Sequence, residues 1–440
     1  MYRLLSSPRF LELLRWGFLV MLPAAIVGSF AAWPGFRTLS LFRILYILLS
    51  LGAIAWLLLN RRFPSNVHVK GFLLFLAFWI LWSLVSLIWA ADKPAGLRYF
   101  IFLIMMASIA GGTALAVNNA KSLRVALLLL LTVFGLALSI SLLEIATDFR
   151  LSTSGLAGLP ARYQWAATSF FHNQNDFATY IALWLPFLLA APLITQRIGL
   201  VLPAVGGILL AIICFAHTGS RANLLAFALS VVSLLAVAGA RFGPAIKPRR
   251  LLPGLIVLLG AVVAMCLGVR GLVPVLAVPD IGVQHWRFDT LASEVSAGAG
   301  SGGSRIALIS DGLRALRDSY FLGVGPGNAD HHLQHIGGLD RVYNLHNWWM
   351  EVLVNGGILV FVGYLLFYAA LLGNLFVIAA RTRRQVPAFV AASLFAALMG
   401  YVFGSLSPSS AIHFAPMWIH FGLSLAVINM ERTYEADAQR

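Results

Sequence analysis

The chain is dominated by apolar runs that are long enough to cross a lipid bilayer. A helix needs about 20 predominantly apolar residues to span the hydrocarbon core. Because hydrocarbon cannot satisfy an open backbone, such runs are predicted to be α-helices. Twelve runs fit this description, with few charges in each: 14–33, 41–59, 71–91, 98–117, 124–146, 176–194, 198–216, 222–240, 251–275, 349–379, 386–404 and 411–430.

The overall composition excludes a large soluble fold. Of the 440 residues, 60% are hydrophobic and 11% are charged, and the mean hydropathy is +0.87. Soluble domains are about 45–50% apolar and about 25% charged. We therefore predict an all-α integral membrane protein with about 12 transmembrane helices.

One long loop divides the predicted helices into two groups. Residues 1–275 hold helices one to nine, 276–347 form a large extracytoplasmic loop, and 348–440 hold the last three helices and a short cytoplasmic tail. Within the loop, residues 293–304 are rich in glycine, serine and alanine, which predicts a flexible stretch. The next stretch predicts an amphipathic helix near the membrane surface, because apolar residues repeat at helical spacing. These apolar residues are Ile306, Ile309, Leu313 and Leu316.

The net charge of +15 is explained by basic residues in cytoplasmic loops, so no nucleic-acid partner is predicted from it. Arginine and lysine concentrate in the cytoplasmic loops of membrane proteins. With the N-terminus inside, basic residues fall in alternate loops, such as 61–62, 247–250 and 381–384, which places both termini in the cytoplasm. The first run is expected to be retained as a span, because no clear small-residue cleavage site follows it; a cleaved signal peptide is the alternative.

A polar stripe interrupts the start of the tenth apolar run, in LHNWWMEVLVNGG. Asn347, Glu351 and Asn355 are spaced four residues apart and share one helix face. Ionisable groups at membrane depth indicate a functional site, and His346 suits a general base near neutral pH. The alternative is a plain helix start, with Asn347 as its cap, an exposed histidine and the next two tryptophans in an aromatic belt.

Further polar groups lie on the same predicted outer side. Arg221, in HTGSRANLL, indicates function because the positive-inside rule disfavours arginine there, although a snorkelling arginine is the alternative. Arg305 opens the loop helix and is either a ligand or a solvated surface charge. With His346, these arginines predict a cationic diphosphate site beside a base. In FFHNQNDFATY, Asn173 and Asn175 predict binding of sugar hydroxyls. The alternative is a well-capped helix start that uses Asn175 or Asp176.

The sequence predicts no metal site and no cofactor. His331, His332 and His335 have metal-like spacing, but no third-ligand pattern accompanies them. Cys214 and Cys266 lie inside apolar runs and are interpreted as small buried residues. The chain has no P-loop ending in Lys-Ser/Thr, no Asp-x-Asp pair and no Gly-x-Ser-x-Gly elbow. An activated lipid-linked donor is therefore expected in place of a nucleotide.

Four segments resemble motifs of the O-antigen ligase and O-antigen polymerase superfamily. That superfamily also holds teichuronic acid and exopolysaccharide polymerases and some protein O-oligosaccharyltransferases. The resemblance runs from about Phe171 to the C-terminus. The segments are HNQNDFATYIALWLP, TGSRANLL, SRIALISDGL with GVGPGN, and LHNWWMEVLVNGGILVFVGYLLF.

The resemblance implies a metal-independent enzyme at the outer face of the bacterial inner membrane. Such enzymes transfer a glycan from undecaprenyl diphosphate to a hydroxyl acceptor, with inversion expected. By resemblance, Arg221 and Arg305 bind the donor diphosphate and His346 is the catalytic base, with Arg287 and Arg314 as rivals to Arg305. The expected supporting or sugar-binding residues are Asn347, Glu351, Asn355, Asn173 and Asn175.

The acceptor is left open by the sequence. A growing glycan makes the protein a polymerase, lipid A core makes it a ligase, and a serine or threonine makes it a protein O-oligosaccharyltransferase. The expected partners are thus the lipid-linked donor, one such acceptor and membrane lipids. A lipid or glycan transporter or flippase is the alternative from another class. Transporters carry their charged groups near the middle of the membrane, whereas here the charges collect at the predicted outer face.

Overall fold

The computed structural model describes residues 7–28, 32–33, 36–60, 67–147, 149–159, 166–194, 198–243, 256, 260, 300–336, 344–408 and 411–439. Within these ranges the chain forms thirteen α-helices and one pair of short strands. The helices are α1 (Pro8–Val27), α2 (Leu41–Asn60), α3 (Lys70–Ser86), α4 (Lys93–Ala116), α5 (Ala120–Thr147), α6 (Gln174–Ile194), α7 (Ile198–Ala216), α8 (Arg221–Phe242), α9 (Gly300–Asp318), α10 (Ala329–Ile336), α11 (Trp348–Arg381), α12 (Gln385–Gly404) and α13 (Ala415–Ala438).

The fold class predicted from the apolar runs is confirmed. The strands β1 (Ala32–Trp33) and β2 (Phe36–Ser40) form a small antiparallel hairpin between α1 and α2, and the other elements in the described ranges are helical. Of the helices described, α1, α2, α4, α5, α6, α8, α11 and α12 have the length and hydropathy to cross a membrane. Two shorter apolar helices accompany them, α3 and the 201–216 part of α7.

The predicted number of spans stays a prediction. The ninth predicted run, 251–275, lies outside the described residues except for Ile256 and Gly260. The last predicted run falls in α13, whose residues 415–431 are all buried. This helix carries the buried polar side chains of His420 and Asn429, so burial by neighbouring helices, and not apolarity alone, accommodates it in the bundle.

The core of the bundle forms around α12 and α13. Helix α12 packs against α6, α8 and α11, and α13 packs against α4. Gly400 allows the close approach of α12 to α8, because an added Cβ there would lie 2.6 Å from the carbonyl oxygen of Ala226. Small residues at such contacts let membrane helices pack by van der Waals attraction.

Helix α11 is broken at Gly357, and the break receives the chain that follows α9. Gly357 has φ 76° and ψ 179°, outside the helical region. The amide of Val324 donates to the carbonyl of Val354 at 2.9 Å, and the amide of Ile358 donates to that of Phe321 at 3.0 Å. A side chain at Gly357 would clash with the backbone of residue 322. The loop therefore completes the hydrogen bonding that the kink removes from α11.

The predicted amphipathic loop helix exists as α9, but its packed face differs from the predicted one. Leu308, Ala315 and Leu316 are buried, whereas Ile306 and Leu313 remain exposed. The buried face packs against α10 and α11 in a small apolar cluster, and this tertiary contact decides which apolar residues are covered. Residues 300–304, predicted to be flexible, are helical as the first turn of α9. The rest of that glycine-rich stretch lies outside the described residues.

Candidate functional site

The N-terminal ends of three helices meet at the turn between α12 and α13, which comprises residues 405–408. The amide of Trp348, the first residue of α11, donates to the carbonyl of Ser405 at 3.1 Å. The Ser407 hydroxyl lies 2.8 Å from the hydroxyl of Ser220, the N-cap of α8. It also donates to the amide oxygen of Asn175, in the first turn of α6, at 3.1 Å.

The dipoles of three helices place positive potential at the 405–408 turn, although the first amides of α11 are already bonded to Ser405 and Asn347. The first amides of a helix have no intrahelical acceptor and carry the positive end of the helix dipole. Arg221 is the first residue of α8 and adds a full positive charge to this end of the bundle. Helix N-termini with nearby arginine are well suited to phosphate groups.

His346 is held in an uncommon backbone conformation. Its φ is +46°, in the left-handed region that a histidine seldom occupies. The next residue, Asn347, caps α11 by accepting from the amides of Trp349 at 3.1 Å and Met350 at 3.3 Å. The His346 ring is hydrogen-bonded to the backbone of Pro408. These contacts on both sides fix the histidine against the 405–408 turn.

The hydrogen bonds of His346 specify its tautomer. Proline has no backbone N–H, so the ring must donate to the Pro408 carbonyl. Nδ1 is buried and has no hydrogen-bond partner, which assigns the donated proton to Nε2 and leaves a lone pair on Nδ1. Burial and then the charge of Arg305 lower the pKa of His346 below its ordinary value. The lowered pKa favours the neutral form of the ring.

Arg305 links the two other predicted residues. Burial and the positive charge of Arg221 lower the pKa of Arg305, and the charge of Arg305 in turn lowers the pKa of His346. Three groups from α8, α9 and the residue before α11 thus lie close enough for their charges to interact. In the described ranges Arg305 has no carboxylate partner. Like charges brought together this way create a positive potential that an anion would relieve.

The two rivals of Arg305 differ from it. Arg314 lies on the exposed side of α9 and pairs with Asp311 at 3.4 Å. Arg287 lies outside the described residues. Of the loop arginines that the structure describes, Arg305 is the one whose charge acts on both Arg221 and His346.

Asn355, in the polar stripe of α11, holds the loop that carries Arg305. Its buried amide oxygen accepts from the amides of Asn328 and Ala329, both at 3.0 Å, at the start of α10. The side chain of Asn328 in turn accepts from the amide of Asp92 at 2.6 Å and donates to its carbonyl at 3.1 Å. Asn355 is therefore engaged in anchoring the loop helices to α4 and α11.

Glu351 lies one turn earlier in the stripe and is also buried. Its carboxylate accepts from the amide of Ala411 at 3.3 Å. The hydroxyl of Tyr99, on α4, also hydrogen-bonds to Glu351. A carboxylate in this position holds the segment before α13 to the bundle beside the 405–408 turn.

The alternative interpretation, a plain helix start, is correct for Asn347 but wrong for His346 and Trp348. Asn347 is the helix cap, as that alternative has it. His346 is half-buried and not exposed. Trp348 is 1% exposed and donates its indole N–H to the Tyr364 hydroxyl at 2.8 Å, so it belongs to the core and not to an aromatic belt. Trp349 is half-buried and donates to the Val402 carbonyl at 3.1 Å.

The two asparagines at the start of α6 have different surroundings, since Asn173 directly precedes the helix and Asn175 lies in its first turn. Asn173 caps α6, because its amide oxygen accepts from the amide of Asp176 at 2.9 Å and its amide nitrogen donates to that carboxylate at 3.0 Å. Asn175 instead bonds to Ser407 in the 405–408 turn. Both lie at the end of α6 that faces the site, and Asn175 is tied directly to it.

Metal-ligating side chains do not cluster in the described ranges. No group of three histidine, cysteine or carboxylate side chains there could hold a metal ion. His331, His332 and His335 belong to the short helix α10.

Sequence reasoning missed the residues that join the site's parts. Ser220, Asn328, Ser407 and Pro408 make the connecting hydrogen bonds but carry no charge. Of these four, only Ser220 and Asn328 lie inside a family motif, TGSRANLL and GVGPGN respectively. Two signals could have found them: Ser220 directly precedes Arg221, and SLSPSS is a polar stretch between apolar runs. Neither signal states which distant residue is the partner.

The fold and the site together define a polytopic helical membrane protein with two arginines and a neutral histidine at one end of its bundle. A family model described as O-antigen ligase matches residues 206–365, a segment that contains all three of these residues. The chain is also 30% identical over 428 residues to the teichuronic acid biosynthesis protein TuaE of Bacillus subtilis (strain 168). That similarity covers 92% of this chain and 81% of the relative.

The protein belongs to the O-antigen ligase family, which confirms the resemblance found in its motifs. Membership supports a membrane enzyme of the polysaccharide ligase or polymerase type, whose substrates are lipid-linked glycans. The matched segment runs from the second half of α7 into the first half of α11. It therefore includes α9, the loop helix that brings Arg305 to the site.

Proposed function

We propose that the protein transfers a glycan from undecaprenyl diphosphate to a hydroxyl acceptor at the outer face of the bacterial inner membrane. The observation that carries this proposal is the electrostatic coupling of Arg221, Arg305 and His346, which come from three separate segments. In this proposal the arginines bind the donor diphosphate and the histidine acts on the acceptor. The reaction uses no metal and no cofactor, so transfer should continue in EDTA.

The donor diphosphate is the ligand that best fits the arginine pair. A guanidinium binds phosphate oxygens through two parallel hydrogen bonds, which adds geometric specificity to charge. Arg221 and Arg305 are both half-buried, and interactions with a developing charge are stronger in a site partly shielded from water. The N-terminus of α8, which begins at Arg221, adds to the same positive potential.

The proposed reaction is a direct displacement at the anomeric carbon. The acceptor hydroxyl gives its proton to the His346 ring while its oxygen forms the new glycosidic bond. The bond between the anomeric carbon and the diphosphate oxygen breaks, and undecaprenyl diphosphate leaves with the electron pair. The arginines stabilise the charge that develops on the leaving group. Attack from the face opposite the leaving group inverts the anomeric configuration.

The supporting residues have distinct positions in this scheme. Asn347 caps α11 directly after the histidine. Glu351 accepts from the backbone of Ala411, and Asn355 accepts from the backbone at the start of α10. Asn173 and Asn175 lie at the start of α6, where amide groups not used in capping can bind sugar hydroxyls. We propose that the acceptor or the donor sugar passes over this end of α6.

The orientation proposed for the chain follows from its charges. Arg241, Arg384 and Arg432 lie at the end of the bundle opposite the site, where the chain passes from α11 to α12 and out of α13. Basic residues mark the cytoplasmic side. Both termini and this basic end therefore face the cytoplasm, and the site faces the outside.

A growing glycan is the acceptor that we favour, because the name of the Bacillus relative places it in teichuronic acid biosynthesis. Purified protein, reconstituted with an undecaprenyl-diphosphate glycan and several acceptors, tests this directly. A ladder formed from donor alone identifies a polymerase, and a single shift that requires lipid A core identifies a ligase. Transfer to a serine or threonine peptide identifies a protein O-oligosaccharyltransferase. If the lipid crosses the bilayer and no glycan is transferred, the protein is a flippase and not a glycan transferase.

A further inference from the structure

A closed network of buried hydrogen bonds joins α6, α8 and the 405–408 turn. Four of its five members are at least 95% buried: Thr179, Ser220, Asn223 and Ser407. The fifth is Asn175, which is half-buried. None of the five is charged, and the proposed reaction does not use the side chains of Ser220 or Ser407. One acceptor of the network, the Asn223 amide oxygen, is buried without a hydrogen-bond partner. Buried polar groups cost free energy unless they are satisfied, so a network kept at this position calls for an explanation.

The direction of each bond follows from the chemistry of the groups. The Asn175 amide oxygen can only accept, so the Ser407 hydroxyl donates to it at 3.1 Å. Ser407 has a single hydroxyl proton, so Ser220 must donate to the Ser407 oxygen at 2.8 Å. The Ser220 oxygen then accepts from Asn223 at 2.9 Å, and Asn223 also donates to Thr179 at 3.1 Å. Thr179 closes the ring by donating to the Asn175 carbonyl at 2.9 Å.

The bond between Ser220 and Ser407 connects the two halves of the proposed site. Ser220 directly precedes Arg221, and Ser407 directly precedes Pro408. Pro408 supplies the carbonyl that fixes the His346 ring. One hydroxyl pair thus joins the backbone that presents a donor-binding arginine to the backbone that orients the base.

The neighbouring serine in the same turn lacks this connection. Ser405 is equally buried, but its hydroxyl donates to Val402 at 3.1 Å, within its own helix end. Ser220 makes no side-chain cap bond to α8, so its hydroxyl is not needed to begin that helix. The contrast between Ser405 and Ser407 separates a local bond from one that crosses between helices.

We propose that Ser407 and Ser220 are positioning residues that hold Arg221 and His346 in register for glycan transfer. This inference rests on the proposed function. A small displacement of reacting groups costs rate even where the groups themselves are intact. Losing the bond should therefore reduce turnover more than it reduces donor binding.

The first test compares Ser407→Ala with Ser405→Ala in the reconstituted transfer assay. Ser407→Ala should lower kcat by about tenfold and change the KM for the donor by less than that factor. Ser405→Ala should keep kcat within about twofold of the wild-type value, because it loses a bond within one helix end. Melting temperatures in detergent, measured for both, separate positioning from loss of fold.

A double-mutant cycle supplies the second test. Ser220→Ala cuts the same bond from its other side, so the double variant should be no slower than the slower single variant. Effects on kcat that multiply would mean that the two hydroxyls act independently and would overturn the proposal.

Failure of this inference can be distinguished from failure of the proposed function. If wild-type protein transfers no glycan, the proposed function is wrong. If wild-type protein is active and Ser407→Ala is as fast as Ser405→Ala, the positioning role is wrong. If Ser407→Ala and Ser220→Ala both fail to fold, the bond maintains the fold, and this too would overturn a positioning role.

Discussion

The two ends of the helix bundle use the same residue type in opposite ways. At the end away from the site, Arg241 donates to the carbonyls of Ala379 and Thr382 at 2.8 and 3.0 Å. Nearby, Arg384 pairs with the buried carboxylate of Glu431 at 2.9 Å. At the site end, by contrast, the charges of Arg221 and Arg305 act on each other, and that of Arg305 acts on a neutral histidine.

The difference agrees with the proposal that one end of the bundle maintains the fold and the other end holds the functional site. Arginines that bond to the last carbonyls of a helix and to a carboxylate compensate the helix dipole and hold loops in place. Two arginine charges that act on each other repel, and an anion bound beside them would relieve that repulsion. Such local conflicts with stability are expected at functional sites and rare elsewhere.

The largest expected effect is that of removing the base. His346→Ala should lower the rate of glycan transfer by about 10²–10⁴-fold, the range typical of a general acid–base group. The ring is half-buried at the end of the bundle, so the melting temperature should change little. Transfer rates measured beside melting temperatures check both statements. Unchanged product length and yield in this variant would remove His346 from the mechanism.

The arginine pair gives the next largest effect. Arg305→Ala should slow transfer by more than tenfold, because a charge-assisted bidentate contact to the donor is lost. Arg314→Ala is the matched control on the same helix, since Arg314 pairs on the exposed side with Asp311, and it should be near wild type. Transfer rates over a range of donor concentrations make the comparison. Equal rates for the two variants would contradict the assignment of Arg305.

Arg221→Lys tests whether the planar geometry of the guanidinium is needed in addition to its charge. Lysine keeps the charge but not the planar fork, so this variant should be nearly as slow as Arg221→Ala if the diphosphate is bound bidentately. The measurement is the transfer rate of both variants at saturating donor. Full activity with lysine would mean that a point charge is sufficient at the start of α8.

The pH dependence tests the coupling between Arg305 and His346. Only the neutral ring accepts a proton, so kcat/KM should fall at acid pH through an apparent pKa below the ordinary value for histidine. Donor phosphate neutralises the charge of Arg305 and so removes one cause of the lowered pKa. The acid limb of the kcat profile should therefore lie at higher pH than the acid limb of the kcat/KM profile. Coincident limbs would argue against this coupling.

The smallest effect on transfer is expected at the opposite end. Glu431→Gln removes the carboxylate that holds Arg384 and the Thr382 hydroxyl. It should lower stability by about 1–3 kcal/mol, since a buried acceptor of charged hydrogen bonds is lost. The transfer rate per folded molecule should be unchanged. A melting curve and an activity assay on the same preparation separate the two ends, and a large loss of rate would show that the ends are coupled.

Much of the fold follows from the sequence alone. The apolar runs predict membrane helices because the bilayer offers the backbone no other partner. The three charged or ionisable groups of the proposed site were also predicted, since Arg221 and His346 are costly at helix ends bordering hydrocarbon. Resemblance to a family then related Arg305 to the other two.

Only the tertiary structure shows which groups the polar stripe of α11 contacts. A spacing of four residues puts Asn347, Glu351 and Asn355 on one side of α11 but says nothing about the opposing groups. In the folded chain Asn347 caps its own helix, whereas Glu351 and Asn355 accept from the backbones of two distant loops. Periodicity is a property of one helix, and these contacts belong to pairs of segments far apart in sequence.

Tertiary structure also selected between the loop arginines. Arg305 and Arg314 are nine residues apart, about two and a half helical turns, so they point to opposite sides of α9. The sequence by itself determined that one of these sides would carry a cation toward the site. The packing of α9 against α10 and α11 brings Arg305 near Arg221 and His346 and leaves Arg314 on the exposed side. The physical reason is that the buried face of a surface helix is chosen by the apolar residues it meets, and those lie on other helices.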